Sequence, residues 1–323
     1  MNENLEYVSS LVVPLYKSAG DLDRLLNRLA QINAQIDGQF EVIFVIDGSP
    51  DDSWSLLVDQ YKTLPYRTVL VRLSRNFGAI AATRQGIRHA SGGAIAVMAA
   101  DCQEPASLIL DLFSAVRGGK HEIAVGVRVG RSDPALTRIT SSIFWRVFRL
   151  MRGGSIPKRG VDVFAFSRKV SEIVGGLRES STSLVGLLYW IGFEILEIEY
   201  VREERIQGKS SWSLSKRIRY AIDSLTTFSD APIAILIGGG FLGSMVSFFY
   251  GILVILRQVI WSHEPRGYVP IFVGLLFITS ILLIGLGTLG MYIWRIAENV
   301  RGRPESIVWT TITNRTSSSE QQS

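Results

Sequence analysis

The sequence predicts an α/β domain built on a mainly parallel, doubly wound sheet, followed by a hairpin of two membrane-crossing helices. Three observations predict it. Apolar runs of strand length alternate with segments of helical periodicity over the first hundred or so residues. Three of those runs end in polar turns, and in such sheets ligands sit at the carboxyl ends of the strands. Two stretches near the C-terminus contain no charged residue at all.

SSLVVPLY (9–16) reads as the first buried strand, and leucines at 22, 25, 26 and 29 then follow at helical spacing. FEVIFVIDG (40–48) is the second strand, and SPDDSWSLL offers Ser or Asp to cap the next helix. RTVLVRLS gives a third strand, FGAIAATRQGIRHA a helix, and GGAIAVMAA a fourth strand running into Asp101-Cys102-Gln103. The polar turns Pro14-Leu15-Tyr16, Asp47-Gly48-Ser49 and Asp101-Cys102-Gln103 therefore converge on one edge of the sheet.

Residues 233–256 and 269–294 are charge-free. A helix rises about 1.5 Å per residue and hydrocarbon is roughly 30 Å thick, so each is long enough to span. Lys209, Lys216, Arg217 and Arg219 precede the pair and Arg295, Arg301 and Arg303 follow it, whereas the link holds only Arg257 and Arg266. The positive-inside rule then places both chain ends in the cytoplasm. The expected organisation is a cytoplasmic domain over 1–212, a juxtamembrane amphipathic helix over 213–232, a transmembrane hairpin over 233–294 and a cytoplasmic tail over 295–323. Residues 136–154 form a second basic amphipathic segment, which suits either the membrane interface or packing on the sheet with a solvated face.

Several chemistries are excluded or unsupported. The polar N-terminus carries no basic n-region of a signal peptide. One cysteine, Cys102, rules out an intramolecular disulfide and a multi-cysteine zinc site. No G-x-G-x-x-G follows the first strand, and Gly208-Lys209-Ser210 is no P-loop because Glu203 stands where that motif needs glycine. His89, His121 and His263 lack metal spacing. The net charge of +5 suits phosphates or an anionic membrane, but no nucleic-acid module accompanies it.

The motifs VVPLY, VIDGSPDDS, LSRNFG, AADCQEP, GVRVGR, GVDVFAFSRKV, REERIQGKSSWS, FSDAPI and YIWRIAENVRGRP occur in this order. With them the chain resembles the membrane-anchored family 2 glycosyltransferases that charge polyprenyl phosphate with one sugar. The resemblance runs from about Ser9 to Val308 and implies a GT-A fold. It further implies inverting transfer from a nucleotide-diphosphate sugar, a UDP-sugar by expectation, to undecaprenyl phosphate at the inner-membrane face. The lipid-linked sugar would serve cell-envelope glycan or lipopolysaccharide modification. The chain lacks Q-x-x-R-W of processive synthases, which favours single transfer.

By the same resemblance, Pro14, Tyr16 and Asp47 line the nucleoside pocket, and Asp101 and Gln103 hold Mg²⁺ or Mn²⁺ on the donor diphosphate. Asp101 and Asp162 are the expected catalytic carboxylates. Arg128, Arg138 and Ser142 fall where relatives hold the lipid phosphate, and Arg205 and Lys209 belong to the segment that closes over the donor. Hard divalent cations favour such oxygen ligands and leave positions for substrate phosphates. The expected partners are thus a nucleotide sugar, polyprenyl phosphate and the membrane, with no nucleic acid. Glycines 238–240 and Gly285, Gly287 and Gly290 permit close helix packing, within the hairpin or between copies.

The chain departs from the family pattern at three acidic positions. Lys17-Ser18 replaces Asn-Glu, Ile46 replaces the first Asp of VDDGS, and Ala99 replaces the first Asp of the DADLQDPP motif. An alternative expectation is therefore a catalytically weakened relative that binds nucleotide sugar or lipid phosphate for a partner.

Overall fold

The computed structural model describes residues 8–129, 161–176, 184–203, 268–302 and 304–314, together with 241, 242, 245 and 249. Within them, helices and strands alternate: β1 (Val8–Leu15), α1 (Leu22–Gln35), β2 (Gln39–Ile46), α2 (Ser53–Gln60), β3 (Arg67–Leu73), α3 (Ala79–His89), β4 (Ala94–Val97), α4 (Ala106–Arg117) and β5 (Ile123–Val129). They are followed by β6 (Val161–Ser167), α5 (Arg168–Gly176), α6 (Leu184–Trp190), β7 (Ile195–Val201), α7 (Tyr268–Arg301) and β8 (Val308–Thr313). Each strand and helix read from the first hundred residues is present, with ends shifted by at most three positions.

The strands form one eight-stranded sheet in the order β7-β5-β6-β4-β1-β2-β3-β8. β1 pairs in parallel with β2 and β4, β2 with β3, and β5 with β7. β6 runs antiparallel between β4 and β5, and β8 antiparallel to β3, so the sheet is mixed about a parallel centre. The chain reverses its winding at β1, whose neighbours are β2 and β4. That switch opens a crevice beyond the carboxyl ends of β1 and β4.

Burial follows from the pattern. The central strands are apolar on both faces because helices cover both. Leu22, Leu25, Leu26, Leu29 and Ile32 put the apolar stripe of α1 into the core, where Leu11, Phe44, Phe113 and Leu112 join one cluster. Removing one such leucine side chain to alanine costs about 2–5 kcal/mol. α3 packs on the other face, and a Cβ on Gly86 would lie 2.3 Å from Val12 Cγ1, so glycine is what lets this helix approach the sheet.

One expectation is met by a neighbouring residue and one is revised. Asp52 occupies the cap position of α2 without a side-chain cap bond; its neighbour Asp51 does the work, accepting from the Ser53 N–H at 3.4 Å and from Ser53 Oγ at 2.7 Å. The segment expected to be a tail supplies β8 instead. The β-branched alternation in VWTTIT suits a strand, and the Asn314 side chain fixes its end by accepting from Thr68 N–H at 2.6 Å and donating to the Tyr61 carbonyl at 2.7 Å.

The chain divides into two compact units, Met1–Leu214 with Pro304–Ser323, and Ser215–Arg303. The second contains α7, of 34 residues, which at about 1.5 Å per residue is roughly 50 Å long. Ile271, Leu275, Leu282, Leu286, Leu289 and Ile293 are exposed along it. Counted over the described residues, no helix is long and apolar enough to cross a membrane. The first expected span, apart from four positions, lies outside those residues, as do several side chains of α7.

Candidate active site

Sheet register brings the functional candidates to one edge. β1 and β4 end side by side, with Val12 opposite Val97. β4 pairs antiparallel with β6, Val97 opposite Phe164, so the start of β6, where Asp162 sits, shares an edge with the turn after β4. β5 and β7 end at that edge too, with Arg128 opposite Tyr200 and Val129 opposite Val201. Pro14, Tyr16, Asp47, Asp101, Gln103, Arg128 and Asp162 therefore all lie along the carboxyl side of the parallel strands. Of Asp162 only the backbone is described, and Arg138, Ser142, Arg205 and Lys209 lie outside the described residues.

The half of this edge after β1 and β2 is braced by backbone amides. Pro14 lies opposite Val45, and Tyr16 is 46% exposed, with the Lys17 ammonium 5.6 Å from its ring centroid. Lys17 adopts a left-handed φ of 55°, held by its N–H donating to Ser49 Oγ at 2.7 Å. The Ala19 N–H donates to Asp51 Oδ2 at 2.9 Å, and Ser49 Oγ donates to Asp51 Oδ1 at 2.5 Å. Burial alone would raise the Asp51 pKa, but the bonds from Ser49, Ala19 and Ser53 together hold it below the usual carboxylate range.

Asp47 is 2% exposed and spends both oxygens on the LSRNFG loop, accepting from Phe77 N–H at 2.7 Å and Gly78 N–H at 2.8 Å. Burial pushes its pKa up, and those two bonds and nearby Arg75 oppose the rise. The approach of the two loops needs glycine at 48: φ is 55° and a Cβ would meet the Arg75 carbonyl carbon at 2.2 Å. Asp47 thus shapes the β2 side of the crevice by fixing a loop. The same loop starts on the C-terminal segment, where Ser74 N–H donates to the Ile307 carbonyl at 2.9 Å.

The other half, after β4, is braced by arginines. The Asp101 carboxylate lies 3.8 Å from the Arg202 guanidinium. Cys102 is buried at a left-handed φ of 50°, and burial pushes its thiol up to about 11, which makes it an inert packing group. Gln103 is buried and donates its Nε2 to the Glu203 carbonyl at 3.3 Å, which leaves the amide oxygen as the group a cation would take. From α1, Arg24 donates to the carbonyls of Asp101 at 3.4 Å and Cys102 at 3.2 Å, and Arg28 to that of Glu104 at 3.3 Å. Arg28 also holds Glu203 through two bonds, 3.0 and 2.7 Å. That pairing keeps the Glu203 carboxyl below its ordinary range and raises the Arg28 pKa.

One carboxylate and one amide oxygen fit a hard divalent cation that takes its remaining ligands from phosphate. Among the described residues there is no group of three or more His, Cys, Asp and Glu side chains placed to hold a metal without substrate.

Residues 10–172 match the model of glycosyl transferase family 2. The chain belongs to that family. A Bacillus subtilis glycosyltransferase, YkcC, is 32% identical over 309 residues, covering 95% of this chain and 94% of its own. A bactoprenol glucosyl transferase of Shigella phage SfII is 30% identical, covering 93% and 96%. An undecaprenyl-phosphate 4-deoxy-4-formamido-L-arabinose transferase of Shewanella sediminis is 29% identical, covering 95% and 93%. The last two names place those relatives in the polyprenyl-phosphate group of the family. The fold is GT-A-like.

Within this glycosyltransferase the three departures from the family pattern have different surroundings. Ile46 is 1% exposed and belongs to the core, so that position contributes packing. Ser18 is buried, its N–H donating to Ser53 Oγ at 3.3 Å and its hydroxyl to the Tyr16 carbonyl at 3.4 Å. Ala99 is partly exposed beside the Asp101 turn. Sequence reasoning missed Arg24, Arg28, Arg202 and Glu203. The i, i+4 spacing of Arg24 and Arg28 marks one helix face, but nothing local reveals that their partner lies 175 residues from Arg28.

Proposed function

We propose that this glycosyltransferase moves one sugar from a nucleoside-diphosphate donor, by preference a UDP-sugar, to polyprenyl phosphate at the cytoplasmic face of a membrane, with inversion at the anomeric carbon. The observation that carries the reading is the Asp101 turn at the switch-point crevice, facing a loop system matched by full-length relatives named for polyprenyl-phosphate transfer. The exposed leucines and isoleucines of α7 support a lipid setting for the second unit, as does the charge-free run that α7 contains.

Asp101 and the Gln103 amide oxygen would hold Mg²⁺ or Mn²⁺, which when bound neutralises charge on the departing nucleoside diphosphate. The loops after β1 and β2 orient the nucleoside, with Tyr16 offering an exposed ring. The acceptor oxygen needs no general base, because a phosphate monoester with a second pKa of about 6 is already largely dianionic at neutral pH. What the protein must supply is cationic positioning of two anions in line. Arg128, Arg138 and Ser142 are assigned to the lipid phosphate and Arg205 and Lys209 to the segment that closes near the donor, while Asp162 is assigned to the sugar side.

The test is a panel of radiolabelled nucleotide sugars with polyprenyl phosphate in detergent, with and without Mn²⁺. Metal-dependent formation of a lipid-linked monosaccharide is expected. Donor binding without turnover across the panel would instead favour the non-catalytic binding role.

A further inference from the structure

We infer that Glu203 is the positioning residue of the metal turn: it locks the Asp101–Glu104 backbone into its cation-binding shape through Arg24 and Arg28. The inference rests on the metal reading above and names what builds that site.

Cys102 stands at φ 50°. A non-glycine residue disfavours that region by about 1–2 kcal/mol, so the surroundings must hold it there. Three carbonyls of the turn, those of Asp101, Cys102 and Glu104, accept from the two α1 guanidinia. The fourth carbonyl, of Gln103, accepts from the Glu203 N–H at 2.9 Å, and the Gln103 side chain returns a bond to the Glu203 carbonyl at 3.3 Å. Every carbonyl of the turn is thus taken by α1 or by the end of β7.

Two arginines one helical turn apart would repel each other and wander. Glu203 collects both: its carboxylate lies 2.7 Å from Arg28 and 3.5 Å from Arg24. The Arg28 contact uses both nitrogens and both carboxylate oxygens, which fixes the plane of the guanidinium. With the arginines fixed, Asp101 and Gln103 are presented from a turn that cannot relax. Arg202, adjacent in sequence, sets its charge 3.8 Å from Asp101.

The experiment uses the full-length protein in detergent and measures Mn²⁺ binding directly, by the loss of the free-ion paramagnetic resonance signal in the presence of UDP. Glu203→Gln keeps size and polarity but loses the bidentate charge pair, and Arg28→Gln removes the same pair from the other side. Each is expected to weaken Mn²⁺ affinity about tenfold or more, the range typical of groups that orient a metal ligand. In turnover, the Mn²⁺ concentration for half-maximal rate rises by the same factor while kcat at saturating Mn²⁺ changes little. Unchanged Mn²⁺ affinity in both variants, with only a lower thermal midpoint, would overturn the inference and leave Glu203 as a stabilising ion pair. Absence of Mn²⁺ binding in the unsubstituted protein would overturn the metal reading itself, and this inference with it.

Discussion

Two glutamates at opposite edges of the same sheet show how location decides what a paired carboxylate does. Glu41, in β2, is fully buried on the amino side of the strands. It accepts from Ser10 Oγ at 2.5 Å and Ser91 Oγ at 2.8 Å, and faces Arg67 at 3.2 Å. Its partners come from β1, from β3 and from the turn before β4, so it ties β1, β2 and β3 together at the end of the sheet away from the Asp101 turn. Glu203 stands at the carboxyl side with its side chain 39% exposed, and its arginines bond to the backbone of a loop. Buried and completed by two hydroxyls and an arginine from neighbouring strands, a carboxylate holds the fold; half open and shared with a turn, it holds a site.

The largest effect is expected on the site side. Asp101→Asn should lower turnover about a hundredfold or more while the thermal midpoint stays within a degree or two, because a metal ligand is lost and no core contact is. Wild-type turnover in that variant would remove Asp101 from the metal. On the fold side, Glu41→Ala strands Ser10 and Ser91 donors in a buried place and should cost about 1–3 kcal/mol in denaturant unfolding. Donor affinity should be unaffected. A fall in donor affinity with unchanged stability would break the contrast between the two edges.

Smaller effects come from pH. The Glu203 carboxyl is held down by Arg28, so its contribution is fully present above the unfolded carboxylate value of about 4.3 and is lost as pH falls through the lower folded value. The difference in thermal midpoint between the unsubstituted protein and Glu203→Gln should therefore shrink as the pH is lowered below about 4. Asp47 behaves in the opposite sense. Burial raises its folded value above the unfolded one of about 3.9, so its folded form holds the extra proton and stability falls as pH rises through that window. Asp47→Asn should flatten this slope, measurable as a smaller difference between midpoints at pH 4 and pH 6.

Much of this was legible in the residues. Strand-length apolar runs, and leucines at helical spacing in α1, report burial directly, because each position's environment repeats with the element's own period. The convergence of Tyr16, Asp47 and Asp101 on one edge followed from alternation alone, since parallel strands must end on the same side. β6 could not be oriented this way: its antiparallel direction depends on which neighbours it finds, not on its own pattern. β8 had a readable alternation in VWTTIT but lay beyond the apolar runs, where a tail was the simpler expectation. The arginine clamp was not legible. Arg24, Arg28 and Glu203 look like ordinary surface charges until the end of β7 comes to rest beside the turn after β4. Asp47 was recognised as important, yet its use of both oxygens on Phe77 and Gly78 appears only once the loops are folded.

The central claim, sugar transfer to a lipid phosphate at a crevice organised around Asp101, is tested most directly by one assay. Purified full-length protein is incubated with radiolabelled UDP-sugars, polyprenyl phosphate and Mn²⁺, beside the Asp101→Asn variant. The account predicts an organic-extractable monosaccharide phosphate lipid formed by the unsubstituted protein and lost in the variant. Equal product from both proteins, or tight donor binding with no lipid product from any nucleotide sugar, would contradict it.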